Sequence, residues 1–142
     1  ETVVHLLEDG VIDVAQLHGG ESEAYIRTLR QHTHKPIMQA FRVDTPADLE
    51  KAQASSADYI LLDSGDGGTG EAFDWSLLAG ATRPYFLAGG LDPENVGGAV
   101  EKLKPYAVDV SSGIETDGTK DPEKMRSFVR AVRGAAGEER DI

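Results

Sequence analysis

The 142-residue sequence contains no cysteine, which removes a disulfide framework, a thiolate metal site and a cysteine nucleophile from these residues. It has no apolar run near the roughly 20 residues of a membrane span, and no basic-then-apolar signal segment opens it. Positive charge is scarce, with 14 Lys+Arg against 25 Asp+Glu and a formal net charge of -11. A polyanionic duplex or an acidic membrane surface would be repelled over most of such a protein, which argues against nucleic-acid and membrane partners. The expectation from these absences is a soluble, cytoplasmic protein. At 39% hydrophobic, residues 1–142 suit one domain with a real core, and no linker divides them.

Glycine, by contrast, is plentiful and placed directly after apolar runs. Three turns carry it: Gly67-Gly68-Thr69-Gly70, Gly89-Gly90 and Ser111-Ser112-Gly113. Backbone N–H groups exposed in such turns, backed by the positive end of a following helix, form a phosphate site that needs no lysine. The acidic net charge does not oppose a small phosphate ester, because oriented N–H dipoles act at contact while a screened field fades within about 10 Å. A phosphorylated small molecule is the expected ligand.

Residues 1–10 read as a helix, with Val3, Val4, Leu6 and Leu7 on one stripe and Gly10 as its stop. Short apolar runs follow at Val11 to Leu17, Pro36 to Phe41, Asp58 to Leu62, Pro84 to Ala88 and Tyr106 to Val110, each read as a buried parallel strand. Thr45-Pro46, Asp92-Pro93 and Asp121-Pro122 each set an oxygen-bearing cap before a proline, and Ser22 makes a fourth cap. Leu77 and Leu78 fall on a shorter helix started near Asp74, and the small, charged tail 134–142 reads as frayed. The fold class is therefore α/β, with about five parallel βα units preceded by a helix. Such units make either an open doubly wound sheet or part of a (β/α)8 barrel, and a whole barrel takes at least about 200 residues.

Four motifs taken together resemble the phosphoribosylanthranilate isomerase family. They are Gln16-Leu17-His18-Gly19; Leu61-Leu62-Asp63 leading to Gly67-Gly68-Thr69-Gly70 and Phe73-Asp74-Trp75; Leu87-Ala88-Gly89-Gly90-Leu91 with Pro93-Glu94-Asn95-Val96; and Val108-Asp109-Val110-Ser111-Ser112-Gly113-Ile114-Glu115. The resemblance runs from about Val11 to Val132. It implies a TIM barrel of which the five runs are strands four to eight, and an Amadori rearrangement in tryptophan biosynthesis that uses no cofactor or metal. The family's general-base cysteine, on its first strand, and its carboxylate-gripping arginine, after its second, have no counterpart here. The expectation is a chain inactive alone. The alternative is a non-catalytic phosphate-binding partial barrel that self-associates or complements another chain through open edges.

Asp63 is the candidate catalytic residue. A carboxyl at a strand end is placed to protonate a ribose ring oxygen as the ring opens, and the resemblance implies this role, although without the surrounding motifs Asp63 reads rather as a solvated cap on the next turn. The phosphate candidates are Gly68, Gly70, Gly89, Gly90, Ser112 and Gly113, against ordinary turn chemistry. Asp109 and Ser111 alternate with Val108 and Val110, so both are expected to face a barrel interior, Asp109 as a carboxylate among valines that needs a partner. By resemblance Asp109 contacts substrate; a hydrogen bond to a neighbouring strand is its bland reading. Gln16 and His18 alternate with Leu17 and are expected on the same interior face as substrate contacts, although a lone histidine is as readily a satisfied core residue. Asp63, Asp66 and Asp74 match no cation-loop spacing.

Overall fold

A computed structural model of the chain describes residues 2–17, 22–64 and 75–137. The element order is α1 (Thr2–Glu8), β1 (Ala15–Leu17), α2 (Glu23–His32), β2 (Ile37–Arg42), α3 (Pro46–Gln53), β3 (Tyr59–Asp63), a 3-10 helix (Trp75–Gly80), β4 (Phe86–Ala88), α4 (Val96–Leu103), β5 (Ala107–Val108), a 3-10 turn (Ser112–Ile114), the hairpin strands β6 (Glu115–Thr116) and β7 (Thr119–Lys120), and α5 (Pro122–Ala135). Among the described residues no helix is long and apolar enough to cross a membrane.

Strands β1 to β5 form one sheet in sequential order, and every pairing is parallel. That order decides between the two architectures open to the sequence. A doubly wound sheet reverses direction at a switch point, whereas right-handed crossovers that always step the same way leave all helices on one side, as in an arc of a barrel. The helix-facing side is the main core: Ile60, Leu62, Leu87, Val96 and Ala99 are fully buried with Leu78 and Phe128 against them. A second cluster joins Leu7, Ala15, Leu17, Ile26, Leu29 and Ile37 under α1 and α2. The opposite, inner face carries a smaller cluster of Met38, Leu61 and Ala88 with Ala40 and Phe86.

Local chemistry explains the boundaries. Ser22 Oγ accepts from the Tyr25 N–H at 3.2 Å. Thr45 and Asp48 form a reciprocal capping box, and Asp121 accepts from the Glu123 and Lys124 N–H groups. Gly10 ends α1 at φ +72°, where a side chain would be strained. At Asp92-Pro93 the carboxylate accepts from the Glu94 and Asn95 N–H groups at 2.8 Å, yet the helix itself begins three residues past the proline, at Val96. The outer strands are shorter than their apolar runs. The Val11 and Ile12 amides turn back to the Leu6 carbonyl, so β1 starts only at Ala15. β5 ends at Val108, and α5 continues through Gly134 to Ala135, past the start of the tail read as frayed.

Candidate active site

The carboxyl ends of the strands gather the polar residues. Arg42, Asp63 and Ala88 are register partners across β2, β3 and β4, so their side chains share the inner face in one row. Val108 pairs with Leu87, and the Asp109 N–H donates to the Leu87 carbonyl at 2.8 Å, which puts Asp109 next in that row. Two strand spacings, about 10 Å, therefore separate the Asp63 and Asp109 backbones, with only a methyl group between them. Asp63 is half-buried at the end of β3, and Arg42 is exposed and paired with Asp44 at 3.3 Å.

The structure corrects the premise for Asp109. It is exposed rather than buried among valines, because β5 pairs only with β4 among the described residues and nothing covers its far side. Ser111 is exposed too, and its backbone (φ -129°, ψ -84°) leaves the extended conformation, so the strand alternation that placed it beside Asp109 does not reach it. Gln16 is exposed between buried Ala15 and Leu17 and pairs in register with Met38, an inner-face residue. The inner-face expectation for Gln16 holds. His18, Gly68 and Gly70 lie outside the described residues.

The glycine turns have distinct physical reasons. Gly89 and Gly90 adopt φ +94° and +65°, a region that L side chains enter only with strain. Gly113 is glycine for another reason: a Cβ there would overlap the carbonyl oxygen of Leu91. The turn that starts at Ser111 is thus pressed against the turn that starts at Gly89, and the two form one unit at the rim. Ser112 leads the short 3-10 turn and is exposed.

Three residues outside the expected set hold this unit. Buried Ser64 donates from Oγ to the Ala88 carbonyl at 2.8 Å and to the Gly89 carbonyl at 3.0 Å, locking the residue after Asp63 to the glycine turn. Asn95 Nδ2 donates to the Gly90 carbonyl at 2.8 Å while its Oδ1 accepts from the Asp92 N–H. Lys120 Nζ donates to the Ser111 carbonyl at 2.8 Å and pairs with Glu115 at 2.7 Å. Among the described residues no group of three His, Asp or Glu side chains could hold a metal ion.

A family model described as N-(5'-phosphoribosyl)anthranilate (PRA) isomerase matches residues 1–131. The chain is 45% identical over 137 residues to the N-(5'-phosphoribosyl)anthranilate isomerase of Endomicrobium trichonymphae, covering 94% of this chain and 67% of that protein. The crystal structure of phosphoribosyl anthranilate isomerase from Thermotoga maritima superposes with a TM-score of 0.79 at 32% identity, over 94% of this chain and 67% of that one. A structure of such an isomerase in complex with reduced 1-(o-carboxyphenylamino)-1-deoxyribulose 5-phosphate superposes at 0.76 and 32% identity, over 94% and 66%. The chain spans about two thirds of the length of these relatives.

Proposed function

Because the chain belongs to the phosphoribosylanthranilate isomerase family, we propose that it supplies the phosphate cradle and the general acid for the Amadori rearrangement of N-(5-phosphoribosyl)anthranilate to 1-(2-carboxyphenylamino)-1-deoxyribulose 5-phosphate. The observation that carries this reading is the position of Asp63, in one row with Asp109 and tied through Ser64 to the Gly89-Gly90 turn. In the reading, amides of the Gly89 and Ser111 turns, with Gly68 and Gly70, bind the 5-phosphate. The Asp63 carboxylic acid gives its proton to the furanose oxygen. The C1–O bond breaks as the anilinic nitrogen lone pair forms an iminium. A base then takes the C2 proton, and the resulting enol tautomerises to the ketone. C1 is reduced as C2 is oxidised, so no external electron carrier enters. By the family resemblance that base is a cysteine, which these residues lack. Gln16, His18, Asp109 and Ser111 are assigned to the sugar and anthranilate. A cytoplasmic setting belongs to the same reading.

The test is Asp63→Asn in the intact protein, followed by the fluorescence of the anthranilate group. Turnover is expected to fall about 10²- to 10⁴-fold with substrate affinity within about tenfold. Unchanged turnover removes Asp63 from the mechanism.

A second reading is that the chain binds phosphate without catalysis and closes its sheet with another chain or a second copy. Among the described residues β1 and β5 each pair on one side only, which favours association. Solution mass by light scattering separates monomer from assembly: a monomer excludes the copy-paired form.

A further inference from the structure

We infer that Lys120 is a positioning residue of the phosphate cradle, holding the Ser111–Ser112 peptide so that the Ser112 amide faces the ligand. The inference rests on the phosphate reading above. In a trans peptide the carbonyl and the N–H of one plane point in opposite directions, and the described residues contain no cis bond. A side chain that takes a carbonyl therefore aims the next amide away from itself. Ser64 takes the Gly89 carbonyl, Asn95 the Gly90 carbonyl and Lys120 the Ser111 carbonyl. The amides so aimed belong to Gly90, Leu91 and Ser112. The close approach of Gly113 to the Leu91 carbonyl keeps the two turns together.

Lys120 differs from the other two in reaching in from outside. It sits on β7, whose Asp117-Gly118 turn (φ +52° and +77°) has the left-handed pair that a type I′ hairpin turn requires. That hairpin is fastened to the start of α5. Thr116 Oγ1 donates to Asp121 Oδ2 at 2.7 Å, the Asp121 N–H donates to the Ile114 carbonyl at 2.8 Å, and Lys124 Nζ donates to the Glu115 carbonyl at 2.7 Å. The Lys120 ammonium is already paired with Glu115, so it brings no net charge to a phosphate, and its contribution is the direction of one peptide plane. The pair is half-exposed, and such pairs add little to stability. Binding and folding therefore separate at this residue.

The experiment compares Lys120→Met, Lys120→Arg, Lys124→Met and Gly90→Val in the intact protein. It measures KM and kcat for the phosphorylated substrate, the Ser112 amide shift on titration with inorganic phosphate, and Tm. Lys120→Met is expected to raise KM and the phosphate Kd about tenfold, with kcat within about twofold and Tm within about 3 °C. Lys120→Arg restores the affinity to within about threefold, since it keeps the donor. Lys124→Met, which loses an equivalent lysine–carbonyl bond one step removed from the cradle, leaves the affinity within about twofold. Parent-like phosphate binding by Lys120→Met, or an equal loss in Lys124→Met, overturns the assignment. If Lys120→Met does not fold, Lys120→Gln is read at the same amide by the same criteria. Gly90→Val separates the two levels. If it leaves phosphate binding untouched, the phosphate reading itself fails; if it weakens binding while Lys120→Met does not, only the role of Lys120 fails.

Discussion

The two rims of the parallel sheet use the same device to different ends. At the amino-terminal rim, long cations cross between loops and take their carbonyls. Lys35 Nζ donates to the Leu7 and Ile12 carbonyls, Arg83 donates to those of Gln53, Ser55 and Ala57, and Arg30 donates to the Ser56 carbonyl and pairs with Asp58 at 2.9 Å. At the carboxyl-terminal rim the captured carbonyls belong to the Gly89-Gly90 and Ser111 turns, and the bonds come chiefly from short side chains behind them. The lower contacts staple the ends of βα units to one another. Above, the same kind of contact leaves one side of each peptide available to a ligand. On the proposed phosphate reading, stability and binding are segregated along the strand axis, as a barrel architecture allows.

Gly113 is where that segregation should break. It belongs to the upper rim, but it is glycine because of packing against Leu91. Gly113→Ala forces one of two backbones to move, and the expected cost is about 3 kcal/mol, measured by denaturant unfolding, together with a clear loss of phosphate affinity. A variant that lost affinity at parental stability would mean that the two turns are not locked together.

Arg83 sharpens the contrast from the other side. Its guanidinium is half-buried and holds the segment that leads into β3. Arg83→Met is expected to lower stability by about 2 kcal/mol through the loss of charge-assisted bonds, with KM within about twofold of the parent. A tenfold rise in KM would show that the rims are coupled through β3 and β4.

The same axis divides what the sequence made legible. Helix starts at Ser22, Thr45 and Asp121 depend on oxygens within three residues of the amides they cap, so local pattern found them. Strands β2 and β3 agree with their apolar runs to one residue at each end. The sheet margins read too long because Val11 and Ile12 spend their amides on α1 and because the chain bends at Ser111. The hairpin β6–β7 lies outside the apolar runs, and its own signal is Asp117-Gly118 between Glu115-Thr116 and Thr119-Lys120. Ser64 and Lys120 had no such signal. Ser64 meets a carbonyl 25 residues away, and which carbonyl that is depends on the register of β3 against β4. A partner 9 residues off, as for Lys120, depends on a bend and a hairpin that must both form first.

The smallest effect is the one that titrates. The Thr116 hydroxyl, and next the Lys124 and Glu123 amides, hold the Asp121 carboxyl below its ordinary value. Folding therefore favours its ionised form. The resulting stability is fully present above the unfolded-state pKa, near 3.9 for an aspartate, and is lost as pH falls through the lower folded value. Asp121→Asn keeps an oxygen to cap α5 and removes the charge. Its Tm should lie slightly below that of the parent at pH 7 and converge on it as pH falls below the folded value, because both carboxamide and protonated acid are then neutral. Glu23 and Asp48 are lowered in the same sense, so both proteins keep an acid limb and the difference between the two Tm curves isolates Asp121. A constant difference across that range would mean that the Thr116 and α5 contacts do not depend on the charge, and the hairpin that carries Lys120 would then be held equally well in acid.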